Sequence, residues 1–487
     1  MSDISKIQNG DHMTLREQVG LTARLALPAI LAQLSSIMMQ YIDASMVGRL
    51  GADQSASVGL MSSSLWLFWG VCSMITMGFS VQVAHEIGAK KYDRARSVLR
   101  QGICASLIAG TIIALIGLSI APFLPYWLGG DDSITGNATL YFSVFVIALP
   151  VLTMNYLAGG MLRCAGNMKV PSLLNVMMCI LDVIFNFVLI FPTRVIDIAS
   201  FHITVPGANL GVLGAALGTV AAECVTASVM MWYLCRREKG MTIGLHPLKA
   251  FLPVREVIRK AVKIALPMTA EHVVFCGAQI MITIIVAPLG VVAIAANAFA
   301  VTAESLCYMP GFGIGDAATT LTGQSYGAGR IDLVKRFGYI TVVMGMSIMT
   351  IMGGVMYFAA PVMMDIMTPV AAISQLGTEV LRIEAWAEPM YAAAIVAYGA
   401  FVGVGDTLLP AIMNFGSIWL VRIPVAAILA PTAGLRGVWI AMCVELTFRG
   451  SIFLWRLISG KWYRNAKKQI SSEAADIEAA VPEEDYQ

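Results

Sequence analysis

Residues 264–290 read IALPMTAEHVVFCGAQIMITIIVAPLG. Among these residues only Glu271 and His272 are acidic or basic. A helix crosses the hydrocarbon layer with about 20 mostly apolar residues, and this run supplies them. Eleven further runs of the same kind follow outward from it, so the chain is expected to span a membrane twelve times. The spans are near 22–48, 57–81, 101–128, 140–162, 171–191, 211–235, 261–288, 293–323, 337–360, 378–403, 409–430 and 437–458. The runs are long and unbroken, which favours helices over the shorter alternating segments of a barrel. Composition agrees. Of 487 residues, 58% are hydrophobic and 13% are Asp, Glu, Lys or Arg. That charged share is about half of the usual one, too little to cover a water-facing surface, so lipid is expected as solvent for much of the exterior.

The opening stretch also discloses a repeat. Its Ala265-Leu266-Pro267 repeats Ala26-Leu27-Pro28, and its Leu289-Gly290 repeats Leu50-Gly51, both 239 residues apart. The same offset relates Gly88-Ala89 and Asp93 to Gly327-Ala328 and Asp332, Pro150 to Pro389, and Gly166, Pro171 and Asn175 to Gly405, Pro410 and Asn414. Gly211 and Gly214 then answer Gly434 and Gly437 at an offset of 223, so the loop near 192–210 is 16 residues longer in the first half. A register held over five helices marks an internal repeat. Six spans per copy give both copies the same orientation, the plan of two parallel six-helix bundles. The expected organisation is an N-terminal segment 1–20, a bundle 21–235, a linker 236–260, a bundle 261–458 and a tail 459–487.

Lys and Arg set the orientation. One set of loops holds Lys90, Lys91, Arg94, Arg96 and Arg100, then Arg163 and Lys169, then eight basic residues from Arg236 to Lys263, then Arg330, Lys335 and Arg336. The other set holds Arg49, Arg194 and Arg436. The rich set is expected in the cytoplasm with both termini, the protein lying in the plasma (inner) membrane. The first 20 residues have no apolar core or cleavage site, so no signal peptide is expected. The acidic stretch SSEAADIEAAVPEEDYQ is expected to be a disordered tail. A net charge of +2 makes no case for nucleic acid. The nine Cys are scattered singly and His85-Glu86 lacks the second His of a zinc-protease motif, so no metal site and no catalytic site is expected.

Five stretches resemble the multidrug and toxic compound extrusion (MATE) family: YIDASMVGRLG at 41–51, MPGFGIGDAATTLTGQSYGAGR at 309–330, GDTLLP at 405–410, WLVRIP at 419–424 and GLRGVWIAMCVE at 434–445. The resemblance runs from about residue 15 to 465. It implies a V-shaped pair of bundles that exports small organic, often cationic, compounds by alternating access, as a monomer surrounded by membrane lipid. Uptake of Na⁺ or H⁺ would drive the export, with no other cofactor. The major facilitator class is a poorer match, because the loop after the second span reads GAKKYDRARSVLRQG. A lipid-intermediate or polysaccharide-precursor flippase of the same wider superfamily is the second reading, although such proteins often carry more spans and a basic cavity. An ion channel is the alternative from another class; the two-fold repeat within one chain argues against it.

Ionisable groups inside spans are costly and mark functional sites. Asp43 matches the family's first-helix acid. Asp182 and Asn186 lie four apart and share one face of the fifth span. The family often has Asn then Asp at this spacing, so this chain carries the pair in reversed order. These three residues are the expected ion-coupling site. Glu271, Glu304, Asp316, Glu384 and Glu388 are the candidates for cargo or ion binding in the second bundle. Glu304 and Asp316 are twelve residues apart, about 18 Å along a helix, so they do not form one site. Glu384 and Glu388 share a face where the first half has Phe145 and Leu149, and Glu384 also has Arg382 and Arg422 as possible structural partners. Acids outnumber bases within the spans, which suits a cationic cargo and a coupling cation. Na⁺ and H⁺ both fit carboxylate and amide oxygens.

The charge asymmetry makes a direct prediction. With the native cysteines replaced, Leu245→Cys in the linker should resist an impermeant thiol reagent added to intact cells and react once the membrane is opened. Strong labelling in intact cells would reverse the orientation.

Overall fold

A computed structural model describes residues 2–198, 201–238, 240–243 and 254–463. Position 245, the middle of the expected linker and the tail beyond 463 lie outside the described residues. The helices are α1 (Ser2–Asn9), α2 (Leu15–Gly48), α3 (Ala52–Gly88), α4 (Tyr92–Ile120), α5 (Leu124–Trp127), α6 (Asp132–Cys164), α7 (Lys169–Leu189) and α8 (Gly211–Arg236), then α9 (Arg255–Val286), α10 (Val291–Gly327), α11 (Ile331–Met367), α12 (Ala371–Glu384), α13 (Glu388–Gly403), α14 (Leu408–Ser417) and α15 (Ile423–Ser459).

Ten stretches are long and apolar enough to cross a membrane, and the last, Leu408–Ser459, is 52 residues long. It holds two spans, because Gly434 turns the chain inside α15 at φ 61°. The tenth expected span is divided into α12 and α13, each too short to cross alone. Counted this way the transmembrane part has the twelve expected helices. The longer loop of the first half adds an antiparallel hairpin, β1 (Pro192–Ile198) with β2 (Phe201–Ala208), which sets Val195 opposite Thr204. The β-branched residues of this loop suit a pleated ribbon.

By contact, the chain forms two bodies. One comprises Leu27–Val83 and Tyr92–Ile285; the other comprises Met1–Ala26, Ala84–Lys91 and Val286–Gln487. These bodies are drawn by proximity, whereas the expected bundles are drawn by sequence register. In the first body α6 packs on α4 and α8, and α8 on α7. In the second, the register-equivalent helices pair alike: α11 with α12 and α13, both of these with α15, and α15 with α14. Over these helices the repeat in sequence is also a repeat in packing.

Lipid supplies no hydrophobic drive between helices, so small residues and hydroxyl groups must hold them. The stretch 309–330 does this for α10. A Cβ on Gly399 of α13 would stand 2.4 Å from the Gly315 carbonyl oxygen, so only glycine permits this crossing. Thr319 and Thr322 then donate their hydroxyls to the carbonyls of Gly399 and Ala400, at 2.8 and 3.1 Å. Where α3 and α10 meet near their C-terminal ends, the contact is reciprocal. A Cβ on Gly88 would lie 2.2 Å from the Gln324 carbonyl oxygen, and one on Gly327 would lie 1.9 Å from that of His85. Residues 85 and 324, like 88 and 327, are 239 apart, so this is the local two-fold contact of the repeat. The His85 ring packs 4.5 Å from that of Tyr326, and its Nε2 donates to the Gly403 carbonyl at 2.7 Å.

Gly88→Ala and Gly327→Ala should each destabilise the protein by about 1–3 kcal/mol, the usual cost of overpacking. The midpoint of thermal unfolding in detergent should fall for both. Gly136→Ala, inside α6 where nothing stands within 4 Å of the added carbon, should not lower it, because alanine favours the helix more than glycine does.

Candidate functional site

Three helices of the first body are fastened by one apolar cluster. Val47 of α2, Ile190 just after α7 and Ala215 of α8 are buried together, with Met46, Leu50, Tyr141 and Phe191 around them. One turn away along each helix stands a polar residue: Asp43, Asn186 and Thr219. The cluster thus fixes the mutual height of three polar groups drawn from distant parts of the chain. Gly218 completes the space, since a Cβ there would stand 2.1 Å from Asn186 Oδ1.

Asn186 joins the site. Its Nδ2 donates to Asp43 Oδ1 at 3.0 Å and to Asp182 Oδ2 at 3.1 Å. An amide nitrogen carries two hydrogens, so each is used on one carboxylate. Asp182 and Asn186 are buried, at 0% and 1% exposure, while Asp43 is half-buried. Asp182 Oδ1 and Asn186 Oδ1 are buried without a hydrogen-bond partner. The site is therefore rich in acceptors and poor in donors. A proton or a small cation would satisfy these oxygens; a second anion would not. The three residues read from the sequence as one site are brought together here.

In the second body the acids gather at a helix break. Pro150 runs inside the continuous α6, but at its counterpart Pro389 the chain breaks between α12 and α13. Glu384 is the last residue of α12 and Glu388 the first of α13, both fully buried. Glu304 of α10 is their electrostatic neighbour, and Arg422 is the facing cation. Arg422 is carried by a π-helical turn, Ile418–Arg422, between α14 and α15; such turns frequently occur at functional sites. The other basic residue considered for Glu384, Arg382, turns away and donates to the Tyr357 carbonyl at 3.2 Å. All four carboxylate oxygens of Glu384 and Glu388 are buried without a hydrogen-bond partner. Glu445 is tied through Oε1 to Arg449 at 2.6 Å and to the Ser417 hydroxyl at 2.7 Å, while its Oε2 is buried without a hydrogen-bond partner.

The remaining candidates are Asp316 and Glu271. Asp316 is half-buried three turns along α10 from Glu304, and its main-chain carbonyl accepts the Thr320 hydroxyl. Glu271 is half-buried on α9 in the first body. Its neighbour His272 packs into the space over Gly70, 5.9 Å from the Trp66 ring, and lies 3.3 Å from the Trp66 carbonyl oxygen. One polar pair escaped the sequence reading. Asn155 of α6 donates to Glu223 of α8 at 2.9 Å. Its two members lie 68 residues apart, so no local pattern joins them.

Comparison with known proteins places this geometry. The MatE family model matches residues 28–188 and again 267–428. The two matches begin 239 residues apart, the offset of the repeat. The chain is 26% identical to a probable multidrug resistance protein NorM of Thermotoga maritima, over 91% of this chain and 93% of that one. It is 25% identical to one of Pseudomonas syringae pv. tomato, over 96% and 98%. Among solved structures, a MATE protein in complex with MaL6 superposes with a TM-score of 0.85 at 20% identity, over 96% of this chain and all of that one. An outward-facing multidrug resistance MATE family transporter of the MOP superfamily superposes at 0.83 and 21%, over 93% and 97%. The twice-matched family model and the twelve helices agree: this chain is a multi-pass membrane protein of the MatE family of multidrug efflux transporters.

Proposed function

We propose that this protein is a secondary active antiporter that exports small organic cations and is driven by inward movement of Na⁺ or H⁺. The observation that carries the reading is the Asn186 amide held between two carboxylates, with buried acceptor oxygens that meet no donor. The amide N–H₂ occupies the position between Asp43 and Asp182 that a small cation would fill. A cation arriving there displaces it and cancels one of the two negative charges of the acid pair within the low-dielectric interior. Support for export of organic compounds comes from relatives named as multidrug resistance proteins. Support for a cationic cargo comes from the second acidic cluster, Glu304, Glu384 and Glu388, opposed by Arg422 alone among the cations named beside it. The excess of Lys and Arg in alternate loops supports a plasma-membrane protein with both termini in the cytoplasm. Under that orientation Asp43 and Asn186 lie toward the outer face, where a coupling cation would enter. A monomer is sufficient, since both copies of the repeat are in one chain.

The test is efflux of a fluorescent cation from proteoliposomes under an imposed Na⁺ gradient and then a pH gradient. Asp43→Asn and Asp182→Asn should each cut gradient-driven efflux about tenfold or more, a loss of at least about 1.4 kcal/mol in the coupled step. Thermal stability should persist, because the apolar cluster above the site is untouched. If both variants transport as the wild type does under either gradient, the coupling ion binds elsewhere.

A further inference from the structure

The Asn155–Glu223 pair has the chemistry of the Asp43–Asn186–Asp182 site and lies beside it. Glu223 stands four residues after Thr219 on α8, so the two share a face about 6 Å apart along the axis. Thr219 stands one turn from Ala215 of the apolar cluster, and beside it a Cβ on Gly218 would stand 2.1 Å from Asn186 Oδ1, so this part of α8 lines the first site. Both residues of the pair belong to the same body as the first site. The amide again lends its nitrogen to a carboxylate, Asn155 Nδ2 to Glu223 Oε2 at 2.9 Å. Asn155 is 9% exposed, and its Oδ1 is buried with no hydrogen-bond partner. A buried amide oxygen left without a donor is costly. A half-turn of the amide would bring that oxygen to the Glu223 carboxylate, and two oxygens face each other in this way only around a cation.

We infer that Glu223 and Asn155 form a second station for the coupling cation, filled from the Asp43–Asn186–Asp182 site one helical turn away. In the cation-free state the amide N–H₂ stands in for the cation at both stations. When the cation moves on, Asn186 returns to its two carboxylates, and Asn155 turns its oxygen inward and releases Glu223. One positive charge moves between two sets of oxygens: Na⁺ exchanges its oxygen ligands, and a proton leaves one carboxyl oxygen and bonds to a Glu223 carboxylate oxygen. With both termini cytoplasmic, α8 runs inward from Gly211, so Glu223 lies on the inner side of Thr219. The second station is therefore on the way in. This inference rests on the coupling role proposed for Asp43 and Asp182.

The experiment uses the full-length protein in two measurements: equilibrium binding of radioactive sodium, with proton release followed by an indicator dye, and gradient-driven efflux of a fluorescent cation. Glu223→Gln should lose one of the wild-type cation equivalents, keep the rest, and lose about tenfold in driven efflux. Asn155→Asp, which places a second carboxylate at the station, should tighten cation binding about tenfold. Should Glu223→Gln fail to fold, Asn155→Asp alone decides, and unchanged affinity there overturns the station. Wild-type binding and efflux in Glu223→Gln would also overturn it. So would loss of cargo binding with cation binding intact, which would assign Glu223 to the cargo. Asp182→Asn separates the two readings. If it alone keeps cation binding and driven efflux, the first site is not the coupling site, whatever Glu223 does.

Discussion

The amide of Asn186 is the interaction on which the site depends. Asp43 and Asp182 come from helices more than a hundred residues apart, and each brings a carboxylate into a region solvated by lipid and protein. Two like charges so close would repel, and either alone would be costly in a span. One N–H₂ group answers both, at 3.0 and 3.1 Å. It does so without closing the site, because oxygens of Asp182 and Asn186 remain unsatisfied. A lysine in its place would form a permanent pair, and a leucine would leave two bare acids. The amide holds the two acids with hydrogen bonds alone, not with a charge of its own. The space for it comes from Gly218, and its height from the apolar cluster of Val47, Ile190 and Ala215.

The two copies of the repeat keep one scaffold and have parted in chemistry. The counterparts of Asp182 and Asn186 at the shared offset are Val421 and Val425, so the second copy has lost the amide and its acid. Arg422 beside them, carried on a π-helical turn, supplies a cation instead. Conversely, Phe145 and Leu149 of the first copy are buried apolar residues, whereas Glu384 and Glu388 flank a break in the chain. A proline is present at this level in both copies. In α6 the helix passes through Pro150, but before Pro389 it breaks, and the break sets the two acids on separate helices. The two copies thus share their packing and differ in the polar groups they bury.

Tight packing follows the same logic. Gly315, Gly399 and the threonines between α10 and α13 explain why the stretch 309–330 is so distinctive in sequence. It has few large residues because two backbones approach to the distance that glycine allows. The reciprocal contact of Gly88 with Gln324 and of Gly327 with His85 arises for the same reason. It also shows the two-fold repeat in space at a point where the sequence had shown only matching letters.

The sequence by itself determined the twelve spans, because lipid demands long apolar runs and the chain has little else. It determined the repeat, because two copies of one scaffold keep glycine and proline where the backbone needs them. It also picked out Asp43, Asp182 and Asn186, because polar groups in spans are few and their cost makes each one conspicuous. It did not disclose the hairpin in the longer loop, whose short run of β-branched residues was outweighed by the helical pattern around it. Nor did it disclose the division of the tenth span, since Pro150 and Pro389 read alike and only the surrounding helices decide whether a proline bends or breaks. The pairing of Asn155 with Glu223, the role of Gly218 and the gathering of Glu304 with Glu384 and Glu388 were settled by tertiary structure alone. These are contacts between residues far apart in the chain, and no local pattern of charge or hydropathy records which distant side chain will fill the space beside a buried acid.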